Sequence, residues 1–119
     1  MIGPLDLSNN SISELMDDLT SLTQLRTLNV SHNKIDQIES RLFAQFSQLI
    51  SLDLSNNHLN EKLKPSVFES LPKGLNYLDI SSKYLPTTFR KIHFNILGAL
   101  PQKTRVKKSF SFLKIGNVF

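Results

Sequence analysis

The chain has 119 residues, a net charge of +4 at pH 7 and 39% hydrophobic residues. This length and composition are typical of one globular domain and exclude wholesale disorder. The sequence contains no cysteine, which excludes disulfides, cysteine-ligated metals and thiol catalysis but leaves the cellular compartment open. The longest nearly apolar stretch, residues 94–100, is too short to span a membrane.

One short pattern recurs along most of the chain. Leu-Asp-Leu-Ser-Asn-Asn-Ser-Ile at residues 5–12 returns as Leu-Asn-Val-Ser-His-Asn-Lys-Ile at residues 28–35 and as Leu-Asp-Leu-Ser-Asn-Asn-His-Leu at residues 52–59. A weaker copy, with lysine in place of the second asparagine, occupies residues 78–85. The copies begin at Leu5, Leu28, Leu52 and Leu78, and this nearly constant period is the mark of a structural repeat.

Each copy combines a strand signal with a turn signal. In the second copy Leu28 and Val30 alternate with Thr27 and Asn29, and this period of two predicts a strand with one buried face. An asparagine follows where the chain must turn, and its amide can satisfy backbone groups that stacking buries. Further apolar residues close each coil, so the coils must stack into a shared core. The predicted buried ladder consists of Asn10, Asn33 and Asn57.

These copies resemble the leucine-rich repeat, whose consensus is L-x-x-L-x-L-x-x-N-x-L. The resemblance covers residues 2 to about 85. It implies an α/β fold, a curved solenoid of about four repeats with a parallel sheet on the concave side and short convex helices or turns outside. The predicted ranges are 1–85 for the solenoid, with repeats at 2–24, 25–48, 49–74 and 75–85 onward, and 86–119 for a basic C-terminal segment that can cap it.

Short helices are predicted between the strands. Asp17 and Asp18 suit the start of one in the first repeat, because acidic groups favour helix N-termini. Apolar residues at helical spacing predict a second within residues 39–46, and the proline that opens residues 65–71 predicts a third. The third repeat also carries two extra residues, which we place at positions 61–62.

The pattern stops after residue 85, and the charge changes there. Helical spacing predicts a helix over residues 90–100, and residues 106–119 alternate loosely, as either a hairpin or a disordered end would. Residues 1–79 carry six basic and ten acidic side chains, a net charge of −4, whereas residues 80–119 carry eight basic and no acidic ones, a net charge of +8. A basic tail on a mildly acidic body is therefore predicted.

Basic and aromatic residues lie close together at residues 105–112, as in surfaces that bind nucleic acid or anionic membranes. The cluster is short, and no nucleic-acid-binding motif accompanies it. We therefore expect no nucleic-acid partner and, at most, weak membrane contact by the basic tail. Solvated charge, or docking of the tail onto the acidic solenoid, is the favoured interpretation.

Outward-facing strand residues are the candidate binding site. In the family that this chain resembles, such residues line the concave surface and contact the partner, and here they are polar and mildly acidic, which suits a basic or hydroxyl-rich partner. Tyr77 is the best anchor candidate, because aromatic residues dominate interface hot spots. The alternative is that serine and aspartate are repeat consensus residues that only solubilise the strands. The predicted binding residues are Thr27, Asn29, Ser51, Asp53, Tyr77 and Asp79.

Two sequons for N-linked glycosylation occur, at Asn9 and Asn29. In a secreted parent protein, Asn9 is expected to be the more accessible because it lies in the predicted turn. Chance occurrence of the short motif is the alternative.

The sequence offers no convincing catalytic or metal site. His32, His58 and His93 belong to different predicted elements. Three aspartates share one strand column, but Asn29 interrupts it, and neighbouring strands supply too few ligands at one point for a cation. Because no nucleophile and base, phosphate loop or metal-ligand spacing stands out, we expect no enzyme activity, no cofactor and no bound metal.

The Leu-Asp-Leu-Ser-x-Asn motif, together with Phe43 and Phe68, is most similar to the repeats of extracellular and receptor-type proteins, including Toll-like and other immune or adhesion proteins. This resemblance implies non-catalytic protein recognition through the concave face, by a fragment or a short paralogue of a receptor-type protein. It does not identify the partner, because residues at these positions vary without disturbing the fold.

Two other functions fit the same sequence. One is an intracellular scaffold or regulatory subunit. The other is a homodimer formed through the first strand, where Leu5 and Leu7 would present an uncapped edge. No signal peptide precedes this strand in the sequence. An extracellular or cell-surface location is expected for a fragment of a receptor-type parent, and a cytoplasmic one for a chain that truly starts at Met1.

Overall fold

The computed structural model describes residues 3–16, 19, 21–60, 63–64, 66–82 and 105–107. Several sequence predictions lie outside these residues. They are the acidic helix start at residues 17–18, the insertion at residues 61–62, the lysine at position 83, the helix over residues 90–100, and the tail from residue 108 onward.

In the described residues, five short parallel strands form the main sheet, and the first four come from successive repeats. The leading leucines of these repeats are paired directly, Leu5 with Leu28, Leu28 with Leu52 and Leu52 with Leu78. The last three are fully buried, as a strand with one buried face requires. In order across the sheet the strands are β1 (Leu5–Asp6), β3 (Thr27–Asn29), β5 (Ser51–Asp53), β6 (Tyr77–Asp79) and β7 (Arg105–Lys107).

The fifth strand lies beyond the predicted repeats. β7 is parallel to β6 and places Val106 opposite Leu78, so it extends the leucine register by one more strand. The sequence pattern alone is compatible with either a hairpin or a disordered end over residues 106–119. The polar–apolar–polar triplet Arg-Val-Lys is compatible with this pairing, but three residues are too few to predict it. The predicted boundary between residues 1–85 and 86–119 stays a prediction, and the sheet continues beyond it.

A second, smaller parallel sheet lies in the first two coils. In it β2 (Glu14–Leu15) pairs with β4 (Gln37–Ile38). The sequence pattern did not predict this sheet, because two residues are too few to show a period of two. In the described residues, a 3₁₀ helix (Leu42–Gln45) and the helix α1 (Ser66–Glu69) lie within the predicted convex segments.

Stacking of the coils buries a continuous apolar core. Phe43, Phe46 and Phe68 have no exposed surface. Leu5 and Leu7 of the first coil are only partly buried. The first coil packs against one described neighbour, whereas the second and third each pack against two, so burial increases inward along the solenoid.

Two of the predicted ladder asparagines join neighbouring coils. The Asn33 amide donates to the Leu7 carbonyl of the preceding coil at 3.0 Å, and its Oδ1 accepts from the Ile12 N–H at 3.0 Å. Asn57 repeats this arrangement one coil later. Their side chains are buried, with residue exposures of 5% and 3%. Each asparagine therefore satisfies backbone groups that stacking removes from water.

Asn10 departs from the predicted buried ladder, because its side chain is exposed. Its amide donates to the carbonyls of Leu7 and Ser8 in its own coil at 2.9 and 3.1 Å. The ladder bonds of Asn33 and Asn57 run to the coil before each of them, and within the described residues no coil packs on the outer side of the first. Asn10 therefore faces solvent.

Candidate functional site: the outward strand face

The six predicted binding residues lie side by side on three adjacent strands, β3, β5 and β6. Each flanks a buried central leucine and so lies on the opposite side of the strand from the core. Five are half-buried, whereas Asp79 has only 5% of its surface exposed. We call these six residues the strand face. Its two rows are Thr27, Ser51 and Tyr77, and Asn29, Asp53 and Asp79.

The second row also has a structural role. Asp6, Asn29, Asp53 and Asp79 each accept, through Oδ1, the backbone N–H of the serine two residues later at 2.9 Å. Such turns end a strand by replacing a backbone acceptor with a side chain. Hydrogen bonds from Ser8 lower the pKa of Asp6 below its ordinary 3.8. The sequence contains a signal for these turns, because aspartate or asparagine precedes serine by two residues in all four copies.

Tyr77 and Asp79 form a hydrogen-bonded pair in the strand face. The Tyr77 hydroxyl donates to Asp79 Oδ2 at 3.3 Å, and the Ser81 hydroxyl donates to Asp79 Oδ1 at 2.6 Å. Partial burial of the phenol, followed by the negative charges of Asp79 and Asp53, raises the pKa of Tyr77 above its ordinary 10.0. At neutral pH the phenol is therefore uncharged, and a buried carboxylate holds it in place.

Strand β7 brings basic residues into register with this pair. Arg105 is the strand partner of Tyr77, and Lys107 is the strand partner of Asp79. The acidic body and the basic tail predicted from the sequence therefore meet between β6 and β7. Across the sheet, the acidic position of β6, Asp79, is therefore followed by a basic position of β7, Lys107.

The residue before each ladder asparagine has an unusual backbone conformation. Asn9, His32 and Asn56 have positive φ angles of 58°, 55° and 56°. This left-handed region favours glycine and then asparagine. The His32 Nε2 and Asn56 Nδ2 atoms are 3.3 Å apart, so these turn side chains stack along the solenoid. The sequence placed these residues in one column but did not predict their conformation.

The two sequons differ in exposure. Asn9 is exposed, whereas Asn29 is half-buried and its Oδ1 accepts the Ser31 N–H at 2.9 Å. Ser31, the hydroxyl residue of that second sequon, is buried. Glycosylation of either asparagine stays a prediction, with Asn9 the more accessible side chain.

In the part of the chain that the structure describes, no three or more histidine, cysteine, aspartate or glutamate side chains are grouped as metal ligands would be. Nor does that part contain a helix of sufficient length and hydrophobicity to cross a membrane. His93, one of the three histidines considered above, lies outside it.

Two family models match the chain. Both are described as leucine-rich repeats, and they match residues 4–59 and 48–71. The matched ranges contain β1 to β5, the ladder asparagines and α1. This agreement of repeat pattern, strand register and family model confirms the predicted α/β leucine-rich repeat solenoid.

Similar proteins come from different kingdoms. Serine/threonine-protein kinase BRI1-like 1 of Arabidopsis thaliana is 34% identical over 99 residues, which cover 81% of this chain and 8% of the kinase. Toll-like receptor 10 of Bos taurus is 38% identical over 121 residues, 96% of this chain and 14% of the receptor. Acidic leucine-rich nuclear phosphoprotein 32 family member A of Drosophila melanogaster is 38% identical over 78 residues, 63% of this chain and 30% of that protein.

This chain therefore spans less than a third of the length of these curated relatives. In the kinase relatives only the repeat region matches, so the similarity carries no kinase activity with it. Leucine-rich repeats serve in general as protein–protein interaction domains. The chain belongs to the leucine-rich repeat family, and its repeats are of the receptor type.

Proposed function

We propose that the strand face, which we expect to be the concave surface, binds a protein partner without catalysing a reaction. The observation that carries the proposal is the alignment of two rows of polar side chains across β3, β5 and β6. Neighbouring strands are about 4.8 Å apart, so one partner surface can contact several of these side chains at once. The similarity to Toll-like receptor 10 supports a receptor-type role.

Tyr77 is the proposed anchor of the partner. Its ring is half-buried, and its hydroxyl is held by Asp79. A side chain that is already restrained loses little conformational entropy when it is buried by a partner. Tyrosine also offers a large apolar area with one polar atom, which is typical of residues that dominate binding energy.

Asp53 and Asp79 lie in adjacent strands of the third and fourth coils. Their charge favours a basic or hydroxyl-rich partner at this part of the strand face. The strand positions next along the sheet belong to Arg105 and Lys107. A partner with acidic groups on that side would match the charge on both sides of the boundary. Complementary charge of this kind contributes mainly to association rate and specificity.

Blocking variants test this proposal. Ser51→Arg places a long charged side chain in the strand face, and Tyr77→Ala removes the anchor. Ala44→Arg is the matched control, because Ala44 is exposed on the 3₁₀ helix and lies outside the strand face. Each purified chain would be screened against an array of secreted and intracellular proteins, with Kd measured for every protein that the wild type binds.

We expect such a partner to bind the wild type and Ala44→Arg equally, and to bind Ser51→Arg at least about tenfold more weakly, a loss of about 1.4 kcal/mol. Circular dichroism would verify that each variant is folded. A partner that tolerates Ser51→Arg and Tyr77→Ala but loses affinity for Ala44→Arg would overturn the proposal.

Contact between two copies through β1 is a second candidate function. Within the part of the chain that the structure describes, β1 is an end strand of the sheet, and Leu5 in it and Leu7 beside it are only half-buried. Exposed strand edges promote pairing with other chains. Sedimentation analysis tests this: the mass should rise with concentration for the wild type and stay monomeric for Leu5→Lys. A monomeric wild type at all concentrations excludes the homodimer.

A further inference from the structure

The turn that follows β1 exposes an asparagine together with the residue after it. Asn10 and Ser11 are both exposed. Asn33 and Asn57, at the same position of the next two coils, have only 5% and 3% of their surface exposed. One turn motif therefore has its asparagine open to water in the first coil and buried in the second and third.

The backbone N–H groups that follow these asparagines also differ. The Lys34 N–H donates to the Ile12 carbonyl at 2.8 Å, and the His58 N–H donates to the Ile35 carbonyl at 3.0 Å. Each of these bonds runs to the preceding coil. Within the described residues, no coil packs on the outer side of the first, and the Ser11 N–H donates no hydrogen bond. This N–H is therefore accessible to water.

The side-chain amide is held less firmly in the first coil. Asn33 makes four hydrogen bonds through its side chain, and two of them run to the first coil. In the part of the chain that the structure describes, the Asn10 side chain makes two, both to carbonyls of its own turn. Water can replace bonds at an exposed site. The Asn10 amide can therefore leave its place in the turn, whereas the Asn33 amide is fixed.

The residue after Asn10 is also small. A backbone nitrogen can attack Cγ of the preceding asparagine when its own side chain leaves room for a ring to close, and serine leaves such room. Asn10 precedes serine, and no other asparagine of the chain precedes serine or glycine. Asn33 and Asn57 precede the longer residues lysine and histidine.

We propose that Asn10 is a site of spontaneous deamidation, with water as the co-reactant. Water or hydroxide removes the Ser11 N–H proton, the nitrogen forms a bond to Asn10 Cγ, and the Cγ–Nδ2 bond breaks to release ammonia. Water then opens the resulting succinimide ring at either carbonyl, which leaves an aspartate or an isoaspartate. The net change is the uptake of water and the loss of ammonia, with no oxidation or reduction.

The product alters the turn in two ways. A carboxylate replaces the amide that donates to the Leu7 and Ser8 carbonyls, so a negative charge lies beside two acceptors. An isoaspartate also lengthens the backbone between Leu7 and Ile12, the two residues of the first coil to which Asn33 is hydrogen-bonded. Deamidation therefore weakens the joint between the first two coils.

Ageing the full chain in mildly alkaline buffer tests the site. Tryptic peptides taken at successive times would be sequenced by tandem mass spectrometry, which assigns the conversion to Asn9, Asn10, Asn33 or Asn57. We expect Asn10 to convert at least about tenfold faster than Asn33, a barrier difference of about 1.4 kcal/mol. Equal rates, or conversion at Asn9 instead of Asn10, would overturn the proposal.

Lys34→Ser separates the structural cause from the dipeptide. Lys34 is exposed, and the variant gives Asn33 the same successor as Asn10. We expect Asn33 to stay at least about tenfold slower than Asn10, because its amide is buried and the next N–H still bonds to Ile12. Circular dichroism would verify that the variant is folded. If Asn33 reacted as fast as Asn10 in this variant, the dipeptide alone would set the rate and the structural argument would be wrong.

Ser11→Val tests the attacking nitrogen. A β-branched side chain restricts the conformations around its own N–H, so we expect Asn10 to react at least about tenfold more slowly. Ser13→Val is the matched control, because Ser13 is exposed in the same coil but does not supply the nitrogen, and the rate should be unchanged. A rate that Ser11→Val leaves unchanged, or that both variants lower equally, would exclude attack by the Ser11 nitrogen.

Discussion

Asn10 and Asn33 occupy the same position of successive repeats, yet only Asn33 is buried. Both amides donate to two carbonyls of their own coil. Asn33 also bonds to Leu7 and Ile12 of the coil before it. The motif thus specifies the local turn, whereas burial and the bonds between coils depend on a stacked neighbour. Identical residues therefore differ in their contribution to stability.

Removing each of the two amides in a separate variant tests this difference. We expect Asn33→Ala to lower the free energy of unfolding by about 2–3 kcal/mol, because it strands buried backbone groups. Asn10→Ala should cost less than about 0.5 kcal/mol, since water replaces the lost bonds. Urea unfolding followed by far-UV circular dichroism measures both. Equal losses would contradict a coil-to-coil role for Asn33.

The second prediction compares two aspartates of one column. Asp79 is buried and accepts from Ser81 and Tyr77, whereas Asp6 is exposed and accepts from Ser8. We expect Asp79→Ala to cost about 1–3 kcal/mol and Asp6→Ala to cost clearly less, because water replaces the bonds that an exposed side chain loses. Asp79→Asn, which keeps an acceptor oxygen, should recover part of the loss in the same unfolding experiment. No recovery would show that the charge, rather than the acceptor, is required.

The third prediction separates the ladder from the turn beside it. Asn56 has a φ of 56°, which costs a residue with a Cβ atom about 1–2 kcal/mol unless its side chain compensates. Asn56→Ala should therefore cost about 1 kcal/mol, less than Asn33→Ala, and Asn56→Gly should cost only a few tenths. If Asn56→Ala were as damaging as Asn33→Ala, the repeat register described above would be wrong.

The smallest expected effect concerns the ionisation of Tyr77. The chain has two tyrosines and no tryptophan, so Tyr84→Phe leaves Tyr77 as the only phenol to titrate by ultraviolet absorbance. In that background the pKa of Tyr77 should lie above 10.0, and Asp53→Asn should lower it by removing a negative charge. A pKa that Asp53→Asn leaves unchanged would mean that burial and Asp79 account for the whole shift.

The sign of the linked stability change follows from the same titration. The folded chain holds the phenolic proton more tightly than the unfolded chain, because its pKa is raised. Ionisation therefore costs stability as the pH rises above about 10, and Tyr77 has no such effect at neutral pH. Tyr77→Phe should abolish the part of the alkaline loss that belongs to this residue.

The repeat register could be read from the sequence because it depends on local periodicity. The leading leucines were aligned by pattern alone, and Leu28, Leu52 and Leu78 are paired in the sheet. β2 and β4 were missed, since strands of two residues leave no periodic signal. β7 was missed for another reason: its register is set by pairing with β6, which lies much earlier in the chain, and not by a repeat motif.

The sequence predicted which residues belong to the strand face, but not which of them are buried or form hydrogen bonds within the chain. Pattern placed Asn29 and Asp53 side by side, whereas their hydrogen bonds to Ser31 and Ser55 depend on backbone geometry at the strand end. The burial of Asp79 depends on its neighbours in space. Sequence reasoning thus identifies which side chains share a face, and the structure shows which of them already have a partner within the chain.

The direction of the asparagine bonds has a consequence for how such chains can be recombined. Asn33 and Asn57 each bond to the coil before them, so the joint between coils is carried by one residue of the later coil and backbone atoms of the earlier one. Backbone atoms are common to all sequences. A chimera cut between coils should therefore keep these hydrogen bonds whichever leucine-rich repeat is placed upstream, provided that the downstream coil keeps its asparagine.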